Sequence, residues 1–455
     1  MNYLDITKSI LDNFVFTTIN VEDFYWKDDI LIAGNSQRFF DYFDHSFYNV
    51  NGNTFHNSEF INFLKKYKKP RNLSLNTAFL LKKKIILEVS FHPCSDSEFP
   101  HQIMKTHFFD KLLKDDKILK NMQEGNLFLL LNQGWEPQNF TEQTRRTDTI
   151  KNYYELFQMV IKEYNLPENS IIPMGGNVRG YEYEQKYDFK YCKINSIFDT
   201  FMEVESFKSI PDEPKLDLNY TFDEHLENIK KSENKLLRIS RTPNALRNIM
   251  LYYLYKNNFT DNSIIEHTNF STHGLENVFD VDKTLVNKIK NDIPLIASKF
   301  EGNKVIENYS NEVIPYDVYK NSIFTWCSTS LPEQIDRVYL SQSTFNPMLF
   351  YHPIVWHSQP FHIEYLKKFG YKSYDWLNDE SSDLVEEPEY KTNYKKMKIN
   401  FKNIENLMNM DRNTLIDTIL ENRSILEHNR KLLIQCNSIE RIIKKFYEIV
   451  YETKV

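Results

Sequence analysis

The four cysteines of this 455-residue chain, Cys94, Cys192, Cys327 and Cys436, stand far apart and form no CxxC pair. That argues against a zinc knuckle and a disulfide scaffold and suits a reducing compartment. Long apolar runs are missing too; Leu127 to Leu131 is among the longest, far short of a membrane span. Asp5, Asp12 and Asn13 occupy the stretch where a signal peptide carries its apolar core, so neither leader nor anchor is expected, and the expected location is a cytoplasm. Positive charge is in deficit: 56 Lys and Arg face 63 Asp and Glu, a net charge of -7 with a pI near 6.0. No global field therefore draws the chain to nucleic acid, and runs such as Lys82-Lys83-Lys84 read as solvated faces. A GxGxxG phosphate loop is absent as well.

What is present is the composition of a folded soluble protein, with 41% hydrophobic and 26% charged residues. The length points to roughly two to three domains. Aromatics reach 15%, with 34 Phe and 28 Tyr, a bias that an AT-rich genome would itself produce.

Helix and strand patterns alternate along the chain. Residues 1–80 hold short aromatic segments such as Phe14 to Phe16, read as a folded extension of unclear class. Ala78 to Phe91 reads as a strand, Phe108 to Met122 as a helix stopped by Gly125, and Leu127 to Leu131 as a strand without alternation, as in a parallel sheet. Thr147 to Tyr164 reads as an amphipathic helix, Ser170 to Met174 as a strand, Tyr183 to Lys190 as a helix. Residues 210–221, with Pro211 and Pro214, read as a linker. A second cycle follows: strand Leu236 to Ile239, a helix from Pro243 to Tyr255, strand Ile264 to Thr268, helix Asp282 to Lys290 and strand Ser322 to Cys327. The expected fold is α/β with two Rossmann-like lobes, 81–210 and 211–396, and a helical tail over 397–455. In that tail Asp411 reads as an N-cap, and apolar residues from Leu415 to Ile443 recur at helical steps. The apolar face would pack on the parent domain or, as the alternative, join copies into a homo-oligomer or a virus particle.

Tyr339 to Asp375 carries the most specific pattern. A polar turn, Ser341-Gln342-Ser343, leads into Pro347, Met348 and Leu349; Pro353-Ile354-Val355 follows, then a helix with Tyr365 and Leu366, then Gly370. Upstream, Leu236 to Met250 delivers Arg241 from a strand and Arg247 on the next helix. Tyr371-Lys372-Ser373-Tyr374-Asp375 and Ile425-Leu426-Glu427-His428-Asn429 extend the pattern. Together these segments resemble the donor half of fucosyltransferase-like glycosyltransferases of the GT-B type, among them cytoplasmic phage, viral and bacterial relatives. The resemblance runs over roughly residues 125–435.

That resemblance implies a nucleotide sugar, GDP-linked donors included, and transfer to a glycan, protein or nucleic-acid acceptor by an inverting, metal-independent route. It places Arg241 and Arg247 on the diphosphate; the residue reading alone leaves surface ion pairs open for both. Gln342 falls where the family has a ribose-binding Glu, and Ser343 and Asn346 where it has two Lys. Neither Ser nor Asn supplies charge to a leaving diphosphate, so a catalytically inactive module with a structural or glycan-binding role is the alternative. Trp326 or Cys327 stands where the family has an acid, and Cys327 reads as a buried thiol. Glu136, after the strand at Leu127, is the candidate base, against a capped loop acid; Asn177 after Gly175-Gly176 matches a family loop.

No metal and no other cofactor is expected. The spacing of His92, Cys94, His101 and His107 fits no zinc pattern. Asp280-Val281-Asp282 has DxD spelling but opens a helix, where acids cap.

Overall fold

The structure is a computed structural model. It describes residues 14–18, 84–90, 105, 109–133, 153–175, 219–240, 244–295, 316–329, 338, 340, 342–385 and 394–435. The chain divides into two compact units, residues 1–202 with 437–455 and residues 203–436. Among the described residues each unit carries a four-stranded, fully parallel sheet.

In the first unit the described elements are β1 (Phe14–Thr18), β2 (Lys84–Ser90), α1 (Asp110–Leu112), α2 (Asp116–Gln123), β3 (Leu127–Gln133), α3 (Tyr153–Glu163) and β4 (Ile171–Gly175). The sheet order is β1-β2-β3-β4. β1 lies within the stretch read as an extension, and it pairs in register with β2, Phe14 opposite Lys84. The single helix expected over Phe108 to Met122 is two. Asp115 ends the first turn and caps α2, its carboxylate accepting from the N–H of Lys117 at 2.9 Å and Ile118 at 3.1 Å. Side-chain capping competes with helix continuation at such a residue. Gly125, at φ +63, closes α2 in the left-handed region that glycine tolerates. Phe109, Leu156, Phe157 and Val160 are buried with Leu127, Phe128, Leu129, Ile171 and Ile172 of the sheet.

The second unit opens, among the described residues, with a helix that starts directly after the expected linker: α4 (Phe222–Lys231). Thr221 caps it through a reciprocal box with Glu224, the Thr hydroxyl accepting from Glu224 N–H and the Glu carboxylate accepting from Thr221 N–H. Then come β5 (Leu236–Ser240), α5 (Ala245–Lys256), β6 (Ser263–His267), α6 (Lys283–Asp292), α7 (Tyr316–Lys320), β7 (Phe324–Ser328), α8 (Gln342–Leu349), β8 (Ile354–His357) and α9 (His362–Lys368). Three further helices follow, α10 (Lys395–Asn409), α11 (Arg412–Glu421) and α12 (Arg423–Ile434). The expected helix start at Pro243 moves to Ala245, with Asn244 as cap.

The second sheet runs β6-β5-β7-β8. The chain goes from β5 outward to β6, then crosses back to β7 on the other side. Strand order therefore reverses between β5 and β7, and in open α/β sheets ligands bind outside the carboxyl ends at such a point. Helices α10 to α12 are part of this unit. Phe401 of α10 stacks on Tyr253 of α5 with ring centroids 3.9 Å apart, and Tyr253 Oη donates to Phe401 O. Lys235, just before β5, donates to the carbonyls of Met408 and Met410 at 2.7 Å each. Arg430 of α12 donates to Leu349 O at the end of α8. Residues 436–455 lie outside the described residues, as does the expected helix at Tyr183 to Lys190.

Candidate functional site

The carboxyl edge of the second sheet gathers the polar groups. A helix that follows a parallel strand starts at that strand's carboxyl end, so the first turns of α5 and α8 flank the switch point. Asn244 accepts from Arg247 N–H at 2.8 Å, which fixes the first turn of α5. The Arg247 side chain then reaches across, its Nη2 donating at 3.2 Å to the carbonyl of Ser328, the last residue of β7. A guanidinium carried on α5 thus reaches the end of β7, beside the reversal.

On the other side of β7, Cys327 Sγ donates to Ser343 O in the first turn of α8, at 3.0 Å. Pro347 explains why that carbonyl is available: it has no N–H to return to the residue four positions earlier. Burial first, against the Ser343 bond and the Arg247 charge, pushes the Cys327 thiol up to about 12. A thiol held protonated in this way is no nucleophile. Asn346, also on α8, has its Oδ1 buried and takes no hydrogen bond among the described residues.

A layer of buried polar side chains surrounds this edge. Thr329 donates to Gln359 Oε1 at 3.1 Å, and Lys396 of α10 donates to Ser358 O at 2.7 Å. Asn400 meets His357 Nδ1 at 3.1 Å, and Thr344 Oγ1 lies 3.4 Å from His362 Nε2. On β6, His267 Nε2 sits 2.9 Å from Asn248 Oδ1 of α5. Burial drives His267 to about 3, helped by the charges of Arg238 and Arg247; it drives His357 to about 3 as well, helped by Lys396 and Arg238. These histidines are neutral donors or acceptors at neutral pH. The N-terminus of α9 is already filled by the protein itself, since the Asp383 carboxylate accepts from the N–H of Ile363 at 3.1 Å and Glu364 at 3.2 Å. Burial outweighs those bonds and raises Asp383 to about 6.

Of the residues singled out in the sequence, Arg247 and Ser343 meet the end of β7, and Asn346 follows Ser343 on α8. Gln342 opens α8 beside them, and its side chain lies outside the described residues. Glu136, Asn177 and Arg241 also lie outside them, as do His92, Cys94, His101 and His107. Asp282 caps α6, its carboxylate accepting from Thr284 N–H at 2.7 Å, so the DxD spelling marks a helix start. Among the described residues no group of three or more His, Cys, Asp or Glu could hold a metal ion, and no helix is long and apolar enough to cross a membrane.

Sequence reading passed over His357, Gln359, His362 and Lys396. A signal existed for the first three, because HSQPFH directly follows the apolar strand Ile354–Trp356. Lys396 carried none; in the sequence it is one member of the run Lys395-Lys396-Met397-Lys398.

No family model matches the chain, and no curated protein matches it. Among solved structures, a glycosyltransferase from Rickettsia africae ESF-5 is similar over 97% of this chain and 99% of its own, at 11% identity and a TM-score of 0.32. A TM-score of 0.32 is too low for that likeness to carry any part of the functional reading.

Proposed function

We propose that this chain is a glycosyltransferase-like protein whose second unit binds a nucleoside-diphosphate sugar at the switch point between β5 and β7. The observation that carries the reading is the placement of Arg247, a guanidinium bridging α5 and the end of β7 where an open parallel sheet receives its ligand. A fork of N–H donors there suits a diphosphate, which accepts bidentate bonds. Ser343 and the start of α8 border the same strand end and would face the nucleotide. The sugar chemistry itself rests on the sequence resemblance. In this reading Glu136 of the first unit serves as the base toward the acceptor hydroxyl, Asn177 lines the acceptor side, Arg241 joins Arg247 on the diphosphate, and Gln342 bonds the ribose.

A second reading, a nucleotide- or glycan-binding module without turnover, is favoured by one specific feature. The residues that the sequence resemblance assigns to the leaving group, Ser343 and Asn346, are uncharged, and Trp326 and Cys327 of β7 are buried and non-acidic. Losing a donor at a leaving oxyanion costs on the order of 10²–10³-fold in rate.

Titration of the full chain with GDP, UDP and their sugars, followed by product analysis with glycan acceptors, tests both. Binding with transfer supports the first reading and binding without transfer the second. Absence of binding to every nucleotide contradicts the first reading and the nucleotide-binding form of the second. Ser343→Lys is expected to tighten nucleoside-diphosphate binding by adding a cation beside the phosphates.

A further inference from the structure

We infer that Arg238, together with Ser240 and Arg247, forms an oxyanion-binding centre beneath the switch point, taking a phosphate group of a nucleoside diphosphate or free pyrophosphate. The inference deepens the proposed donor site and rests on that reading for the identity of its natural ligand.

Arg238 sits in the middle of β5, where a parallel strand ordinarily carries an apolar residue, and only 1% of its surface is exposed. Its guanidinium lies between α5 and β7. Nη2 donates to Arg247 O at 2.9 Å, and Cζ stands 6.0 Å from the Trp326 ring. Nε and Nη1 are buried and have no hydrogen-bond partner among the described residues, and no carboxylate there pairs with the group. Two residues on, where strand geometry returns to the same face, the Ser240 hydroxyl is also buried without a partner. Trp326 Nε1–H, on the adjacent strand, is a third such group.

The unmet groups share a character. Guanidinium and indole N–H groups only donate, and the hydroxyl donates equally well. Burial, and after it the charge of a second cation, Arg247, lowers the Arg238 pKa to about 9. A buried cation with unused donors, set against a second cation, is a strained arrangement unless an anion completes it. An oxyanion with several acceptor oxygens supplies what is missing, and Arg247 links the centre to the strand end at which such a ligand arrives.

The test compares the full-length protein with Arg238→Met and Arg238→Gln, by thermal melts and calorimetric titration with pyrophosphate, GDP, UDP and the unphosphorylated nucleosides. Pyrophosphate is expected to raise the melting temperature of the wild type. Arg238→Met, free of ligand, is expected to melt no lower than wild type, because removing an uncompensated buried charge relieves the fold. Its pyrophosphate affinity is expected to fall at least about tenfold, the scale of one lost charge-assisted bond, and Arg238→Gln is expected to fall likewise. Pyrophosphate binding lost in both variants, with no nucleotide bound by wild type, supports the centre and removes the nucleotide-sugar reading. Nucleotide and pyrophosphate affinities unchanged in both variants overturn the centre and leave that reading intact. Failure of both variants to fold, or no response of wild type to pyrophosphate or any nucleotide, also overturns it.

Discussion

Asn429 shows how single side chains hold the second unit together. It is buried on α12 and closes a two-way bond with Lys372, accepting from its N–H at 2.8 Å and donating to its carbonyl at 2.9 Å. Next to it, His428 Nε2 meets Gly370 O at 2.9 Å. The two sequence patterns Tyr371 to Asp375 and Ile425 to Asn429 are therefore mated in space. Asn429→Ala removes both of these part-buried bonds, each worth about 0.5–1.5 kcal/mol. A clear drop in denaturant midpoint is expected, and an unchanged midpoint would remove Asn429 from the account. Cys327 permits a second check at this scale. With its thiol buried and pushed up to about 12, it is expected to resist iodoacetamide in the native protein at pH 8 and to react only after unfolding. Rapid native labelling at Cys327, read by peptide mass, contradicts that burial.

Among the elements, the capping box of α4 is the simplest to test. Thr221→Ala removes the hydroxyl that accepts from Glu224 N–H at 3.2 Å and is expected to cost about 0.5–2 kcal/mol of stability. Chemical denaturation of wild type and variant measures it. The same box shows what the sequence held and reading missed, since Thr221-Phe222-Asp223-Glu224 is a helix start that the prolines at 211 and 214 overshadowed. Strands β3, β5, β7 and β8 were legible because each is a short apolar run bounded by turn residues, and buried parallel strands read that way. The caps at Asp282 and Asp411 were legible for an equally local reason. The site was legible only where a side chain follows a strand end, as with Arg247 and Ser343. Arg238 and Lys396 look in the sequence like ordinary charges, and only tertiary packing of α5 and α10 on the sheet buries them.

For the whole molecule, acidity is the most general probe. Burial holds His352 at about 4, His267, His357 and His362 at about 3, and His225 well below its ordinary value. Below about 6.5 the unfolded chain binds protons at these five sites and the folded chain does not, so their contribution to stability, present above that pH, is lost as pH falls toward about 4. Burial acts in the opposite sense on two acids, raising Glu380 to about 7 and Asp383 to about 6, so that the folded chain takes up their protons first. Five sites against two leaves a net loss on acidification. The melting temperature is expected to be lower at pH 5 than at pH 7.5, and a flat or rising profile contradicts the buried neutral histidines.

The donor site proposed for the second unit stands on one guanidinium at one strand reversal. The most direct measurement is calorimetric titration of GDP and UDP into the wild-type protein and into Arg247→Ala. The account predicts binding of a nucleoside diphosphate to wild type and its loss, by at least about tenfold in affinity, when the guanidinium that bridges α5 and Ser328 is removed. No binding of either nucleotide to wild type, or binding that Arg247→Ala leaves unchanged, would contradict it.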